Sequence, residues 1–385
     1  MARTLIPSRS APRRMRGMSL VEIMVATAVG LIGVTMIMQV FAVAEGQKRT
    51  TTGSSDAQVS GNIALFNIER DLRYSGFGMV TNNGNMLGCD TYAYDRLRPG
   101  TKTFNFTMAP AIITVNADGN SDSIQVVYGN PAVVIEGALF STGAGAGADF
   151  PLKNAAGFRV GDVAVAYEAA KNCVMSEVTG FVPAAVNTVQ HANAATYTYT
   201  DSTGNPVNVT ERFNPVGGLP TGTPETNTAS ARLYAMGRNP VVKTYRVLGD
   251  RLVTQTLIPY VAAQDPDNND VSDAEVATGI IQLKAMYGKD TNNDKSVDAW
   301  NTTVPANSAE WMQVRAVKIA LLARSGLFEK TAVTPSAPVW IHPGTGAAVP
   351  FTMANLADGT NWRNYRYRVY QTTVPLRNLI WSNDP

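Results

Sequence analysis

Residues 18–44 read MSLVEIMVATAVGLIGVTMIMQVFAVA, 27 residues with a single charge, Glu22. As a helix this stretch is about 40 Å long at ~1.5 Å per residue, enough to cross a bilayer. A secretory signal would carry an apolar stretch of roughly 7–15 residues before a small-residue cleavage site. Ala42-Val43-Ala44 offers such a site, but the apolar run is too long, so a retained span is the better reading. Arg3, Arg9, Arg13, Arg14 and Arg16 precede it with no acidic residue among them. That asymmetry predicts a cytoplasmic N-terminus and a body on the far side of the membrane. Glu22 is the anomaly. An ionised carboxylate in hydrocarbon costs roughly 2.5–3.5 kcal/mol on insertion scales. It needs a cationic partner, or a position near enough to the interface to stay hydrated.

The whole chain has 385 residues, 45% of them hydrophobic and 16% charged, which suits one large or two ordinary domains with a buried core. Its net charge of +2 lacks the basic excess of a nucleic-acid binder. Two cysteines exclude a four-cysteine zinc site, and two histidines, His191 and His342, argue against histidine-based catalysis. No Ser-His-Asp, Cys-His or paired-acid pattern stands out in the linear sequence, where spatial pairing is invisible.

The segment Arg16-Gly17-Met18-Ser19-Leu20-Val21-Glu22 resembles the type IV prepilin leader. The resemblance implies that a dedicated peptidase cuts after Gly17, that Met18 is then N-methylated, and that Glu22 is the fifth mature residue. Met18 departs from the usual Phe of major pilins. Cleavage would create an α-ammonium at Met18, and in a filament of staggered helices a neighbour's Glu22 could meet it. Such a pair would offset the desolvation of both charges and set register.

Other segments resemble the PilW group of minor pilins: IERDLRYSGFG at 68–78, SDSIQV at 121–126, FRVGDV at 158–163, MYGKD at 286–290 and RYRVYQTTVPLRN at 366–378. The fold so implied is α+β and type IV pilin-like, a long N-terminal helix packed on an antiparallel β-sheet. Its parts would be a leader at 1–17, a transmembrane half-helix at 18–44, a periplasmic amphipathic half at 45–75, and a β-rich body at 76–385 with an insertion near 130–235. The function so implied is a minor pilin of a type IV pilus, non-catalytic, priming assembly and sitting in a tip complex, in a pilus that serves twitching motility, adhesion or DNA uptake. Its partners would be other minor pilins, the major pilin, the prepilin peptidase, the inner-membrane assembly platform and a large tip adhesin, with no direct nucleic-acid contact. The chain would be a single-pass inner-membrane protein before it entered the pilus at the cell surface. A minor pseudopilin of a type II secretion system shares the leader and helix and is the alternative. A membrane-anchored periplasmic enzyme is a third reading that leaves the leader unexplained.

Residues 45–55, EGQKRTTTGSS, contain two glycines and should weaken the helix. Asp56 is a candidate N-cap for its resumption, and Gly76 a candidate C-cap. Val59, Ile63 and Phe66, with Leu65, Ile68 and Leu72, form a wide apolar stripe expected to pack on the sheet. Strand-like runs follow at 123–128, 162–167, 196–200, 280–287, 314–323 and 365–376. Residues 244–256 read as a hairpin turning at Gly249-Asp250. Arg366 and Arg368 alternate with Tyr367 and Val369, so the last strand should have one solvated face.

Asp290, Asn292, Asp294, Ser296 and Asp298 place oxygen side chains at alternate positions of a loop, a spacing that suits Ca2+. Lys295 stands where an EF-hand has glycine, and Asn301 where it has glutamate. Asp265, Asp267, Asn269 and Asp273 repeat the spacing more weakly. The competing reading of both is a pair of Asx-rich turns. No other cofactor is indicated. Cys89 and Cys173 form a candidate disulfide, favoured over free thiols in an oxidising compartment. Gly143, Gly145 and Gly147 lack the Lys-Ser/Thr of a phosphate loop.

Overall fold

The computed structural model describes residues 17–79, 86–133, 136–143, 149–201, 203–219, 230–265, 269, 271–354 and 359–382. The chain divides into two compact units, Met1–Gly53 and Ser54–Pro385. The architecture is α+β, with one long helix and a series of mainly antiparallel sheets.

Helix α1 runs without interruption over Leu20–Tyr74. The expected weakening at 45–55 does not break it. The Thr50 and Thr51 hydroxyls donate to the Gly46 and Gln47 carbonyls at 2.9 and 3.0 Å, bonds made within helical geometry. A glycine in a helix costs only about 1 kcal/mol. Asp56 therefore lies inside the helix and is not its N-cap. At the C-terminal end Gly76 takes φ +80° and its amide donates to the Val127 carbonyl at 2.9 Å. The Asn378 amide donates to the Tyr74 and Ser75 carbonyls at 3.2 and 2.9 Å. The Asn378 contacts satisfy carbonyls of the kind that every helix end leaves over.

In the second unit the helix buries Ala57, Gly61, Ala64, Ile68 and Leu72, at spacings of three and four. Val59, Ile63 and Phe66 were expected on this face. They are instead 56%, 45% and 64% exposed. The reason is steric. A side chain at Gly61 would place its Cβ 2.1 Å from Cε2 of Tyr370, so only a small-residue face can lie this close to the strand Tyr367–Pro375.

The helix meets two sheets. One has five strands in the order Ser272–Thr278, Arg251–Ile258, Val241–Leu248, Ser123–Tyr128, Ala111–Thr114. Its central hairpin closes at Gly249-Asp250, with Leu248 opposite Arg251 and Gly249 at φ +65°. The other has four strands in the order Ala299–Asn301, Ile280–Lys289, Val314–Arg324, Tyr367–Pro375. Val317, Ile319 and Leu321 of this sheet join Ile68, Leu72, Val126 and Tyr245 in the main core. Ala320 and Leu322 face the other way and pack with Trp340, Phe351 and Met353. This is the period-two alternation of a strand buried on both faces.

Residues 130–235 do not fold apart from what precedes them. Val163–Tyr167, Cys173–Glu177, Arg232–Gly237 and Ala138–Leu139 complete a six-stranded sheet with Thr103–Met108 and Cys89–Tyr94. Within it Cys89–Tyr94 and Cys173–Glu177 run parallel, with Thr91 opposite Cys173. A second core around Phe140, Phe150, Leu152 and Leu233 lies on one side of this sheet.

Candidate functional site

The candidate site begins at the first turn of α1. Gly17 is exposed and precedes the helix, with no heavy atom within 4 Å of where a side chain would start. Met18 is 71% exposed. The Ser19 amide donates to Glu22 Oε2 at 3.0 Å, and the Glu22 amide donates to Ser19 Oγ at 3.2 Å. This is a capping box, in which two orphan N–H groups of a helix start are satisfied reciprocally. Its sequence signature, Ser-x-x-Glu, was legible in Ser19-Leu20-Val21-Glu22. The carboxylate also sits at the positive end of the helix dipole. Glu22 is thus held within its own chain. The leader arginines and the rest of residues 1–16 lie outside the described residues.

Leu20–Lys48 is long and apolar enough to cross a membrane, and none of it is buried within the protein. Inside it the Thr27 and Thr35 hydroxyls donate to the Met24 and Ile32 carbonyls at 2.9 and 2.8 Å, which hides their polarity from an apolar environment.

The helix is tied to its body by an acid that sequence reading passed over. Asp71 is 1% exposed. Its carboxylate accepts the Tyr245 hydroxyl and forms an ion pair with Lys243. Arg70 Nε lies 3.2 Å from its other oxygen. Burial first, and then the Asp71 charge and a hydrogen bond to it, push the Tyr128 hydroxyl up to about 12. Tyr245 is raised by the same causes. Asp71 lies within the 68–78 segment singled out above. An Asp among Glu69, Arg70 and Arg73 reads as one more surface charge, and only the fold turns it inward.

The loop Asp290–Asp298 is assembled as Asx turns. Asp290 is buried; its Oδ2 accepts from Arg315 at 2.9 Å and from the Lys295 amide at 2.9 Å, and its Oδ1 from the Asp294 amide at 3.1 Å. Asp298 accepts the Thr291 hydroxyl at 2.8 Å and amides of Thr291 and Asn292. Asn292 and Asp294 cap one another, and Asp294 accepts the Ser296 amide at 2.8 Å. The Arg315 guanidinium pairs with one oxygen of Asp290, and among the described residues no group of three His, Cys, Asp or Glu is arranged to hold a metal. In the weaker loop Asp265 accepts the Tyr260 hydroxyl and the Asn269 amide at 2.9 and 3.0 Å. Asp267 lies outside the described residues, as does most of the glycine run after Gly143.

The structure joins Cys89 to Cys173 in a disulfide, with Cα atoms 5.9 Å apart. It clips the parallel strand pair of the six-stranded sheet. Trp311 is fully buried edge-on to Tyr287, with ring centroids 5.8 Å apart, so this tryptophan belongs to the core.

Residues 246–378 match the family model described as Type IV Pilus-assembly protein W. Residues 12–38 match the prokaryotic N-terminal methylation motif. No curated protein matches the chain. Among solved structures it is similar to a type IV-like pilin from Thermus thermophilus, at 9% identity and a TM-score of 0.31, over 85% of this chain and 96% of that one. The two family matches fall on the helix start with its Glu22 and on the strands that receive the helix. Their descriptions carry the resemblance to a type IV pilus assembly protein.

Proposed function

We propose that this chain is a minor pilin of a type IV pilus, which primes assembly and takes a place in a tip complex with other minor pilins. The observation that carries the reading is Glu22, in the first turn of an uncovered apolar helix and five residues after the exposed Gly17. The match to the methylation motif over the same residues supports it. Cleavage after Gly17 would leave Met18 as a methylated ammonium. A neighbour's Glu22 would pair with it in the helical bundle and select one register among several near-equivalent apolar ones. In the second unit the helix presents Val59, Ile63 and Phe66 outward, an apolar face suited to the helices of neighbouring pilins. The chain would wait in the inner membrane with its N-terminus cytoplasmic and its body periplasmic, then enter the pilus from the assembly platform. Its task there is structural, with the major pilin, other minor pilins and a tip adhesin as partners.

N-terminal mass analysis of the membrane-extracted chain, with and without the prepilin peptidase, tests the pathway. A mature chain starting at methylated Met18, seen only with the peptidase, is expected. An intact N-terminus in its presence refutes the reading. Glu22→Ala should then abolish incorporation into pili while leaving membrane insertion intact.

A further inference from the structure

The six-stranded sheet, the five-stranded sheet and the ribbon formed by Thr196–Thr200 and Pro206–Thr210 meet around a cavity of about 190 Å³. Its lining includes Gly161, Glu177, Tyr197, Tyr199, Arg238 and Asn239. Tyr197 and Tyr199 are two apart on one strand and so share a face.

Both walls are held in place by groups behind them. The Tyr197 hydroxyl donates to Oε1 of Glu177, which is 3% exposed. Oε2 of Glu177 accepts the Arg212 and Phe213 amides at 2.7 and 3.2 Å, so this carboxylate is fully engaged. The Arg238 guanidinium lies over the Tyr199 ring, 3.9 Å from its centroid, and one terminal nitrogen donates to the Val160 carbonyl at 3.1 Å. Gly161 makes the convergence feasible. Its φ is +87°, and a side chain there would meet Tyr197 at 3.0 Å and Arg238 Nε at 3.3 Å.

Among the described residues, the Val160 carbonyl is the one hydrogen-bond acceptor on Arg238, and a guanidinium has five N–H donors. Nearby charges limit what it can receive. Asp162 is close enough to interact with Arg238 but accepts the Arg159 amide at 2.8 Å. Arg212 forms a two-bond fork with Asp95, at 2.7 and 2.6 Å. With Asp162 and Glu177 each accepting from other donors, the open N–H groups of Arg238 are left for a ligand, and the repulsion of the two carboxylates restricts it to a single negative charge rather than a phosphate dianion. A guanidinium fork also fits a carboxylate's two oxygens. The volume equals about six waters at roughly 30 Å³ each, the size of one pyranose ring. The walls mix phenols, an amide and a guanidinium with the apolar Val209, Ile258 and Pro259, which suits a ligand carrying both hydroxyls and a C–H face.

We infer that this cavity binds an acidic sugar unit, a pyranose ring carrying a carboxylate, with Arg238 receiving the carboxylate and Asn239 at the mouth. Calorimetric titration of the detergent-solubilised full chain tests it, with sodium glucuronate as the probe and glucose and sodium acetate as comparators. Saturable binding of glucuronate is expected, at least about tenfold tighter than either comparator, because each lacks one half of the recognised group. Arg238→Gln should weaken it by about tenfold or more at unchanged thermal stability. Asn239 is exposed, so Asn239→Asp serves if the first variant fails to fold; its added charge should weaken glucuronate several-fold and leave glucose unaffected. Absence of saturable glucuronate binding, acetate or glucose binding as tightly, or full affinity in a folded Arg238→Gln or Asn239→Asp chain would each overturn the inference.

Discussion

Removing the Asp71 carboxylate should release the second half of the helix from its body. In Asp71→Ala the exposed Arg70 loses a 3.2 Å contact, and three further groups lose an acceptor. Lys243, whose side chain is 15% exposed, loses its ion-pair partner. Tyr245, 1% exposed, falls back on a 3.3 Å bond to the Asn67 carbonyl. Tyr128 loses its hydrogen bond to the carboxylate. Removing one partner of a buried ion pair costs about 3–5 kcal/mol, and an unsatisfied hydroxyl roughly 1–3 kcal/mol. These costs overlap, and Lys243 can turn toward water along its exposed edge, so about 3 kcal/mol is the expected total. That is a large share of the roughly 5–15 kcal/mol that stabilises a typical domain. Urea unfolding of the detergent-solubilised full chain would read the loss. Amide hydrogen exchange should show it concentrated in residues 54–74. A double variant, Asp71→Leu with Lys243→Leu, should recover most of the stability, because apolar replacement of a buried pair is often neutral. A stability for Asp71→Ala within about 1 kcal/mol of the parent, or unchanged exchange across 54–74, would refute the anchor.

Alkaline pH should loosen this contact at Tyr128 and, on the other face of the four-stranded sheet, the packing of Tyr367. The folded-state values of Tyr128 and Tyr367 are both pushed up to about 12, chiefly by burial, against about 10 when unfolded, so stability is complete below pH 10 and falls as pH rises from 10 to 12; melting curves across that window check the sign. The Cys89–Cys173 bond closes a span of 84 residues, so replacing both cysteines by serine should cost about 4.5 kcal/mol in the chain-entropy account, read by denaturant midpoint. Millimolar Ca2+ should give neither heat nor a melting shift, because Arg315 occupies Asp290 at 2.9 Å; saturable heat would reverse that reading of the loop. Ser19→Ala should fray the first helical turn at a cost of about 1 kcal/mol yet leave incorporation into pili far less impaired than Glu22→Ala does, as pilus immunoblots would report.

Much of the framework was legible from residue pattern alone. The run at 123–128 is a strand with those bounds, and Gly249-Asp250 closes a two-residue hairpin because glycine is free to take positive φ there. The apolar span and the Ser19–Glu22 box are local features, and local features are readable. What escaped was decided by distant partners. Periodicity offered one wide stripe of large apolar residues, and close approach to Tyr370 buried Ile68 and Leu72 from it together with Ala57, Gly61 and Ala64, leaving Val59, Ile63 and Phe66 outside. Asp71 looked like a surface charge until Lys243 and Tyr245 met it from far along the chain. The order of the six-stranded sheet, in which residues 89–94 pair with 173–177, follows from no spacing in the sequence. The cavity beside Arg238 exists only where three sheets meet.

The capping box changes how Glu22 is to be understood. A carboxylate entering a bilayer alone would have to lose its hydration uncompensated, at a cost of several kcal/mol. Here the chain supplies the Ser19 N–H and the helix dipole before any partner arrives. Insertion of a lone subunit is therefore less costly than composition suggests. The cap is also weak enough to yield. A neutral N–H contributes about 1 kcal/mol, whereas an ammonium in a dry bundle offers a full opposite charge at short range, and hydrogen bonds between charged groups are roughly twice as strong as neutral ones. Exchange of the Ser19 amide for a neighbour's Met18 ammonium would then favour the assembled state without refolding the helix. A side-chain amide cannot reproduce both states. In Glu22→Gln the new carbonyl could still cap Ser19, but it carries no charge to hold the ammonium. That variant separates the two roles, since it keeps the helix start while removing the charge that selects register. Its expected behaviour is parent-like membrane insertion with pilus incorporation lost; incorporation at the parent level would show that the cap, and not the charge, is what assembly needs.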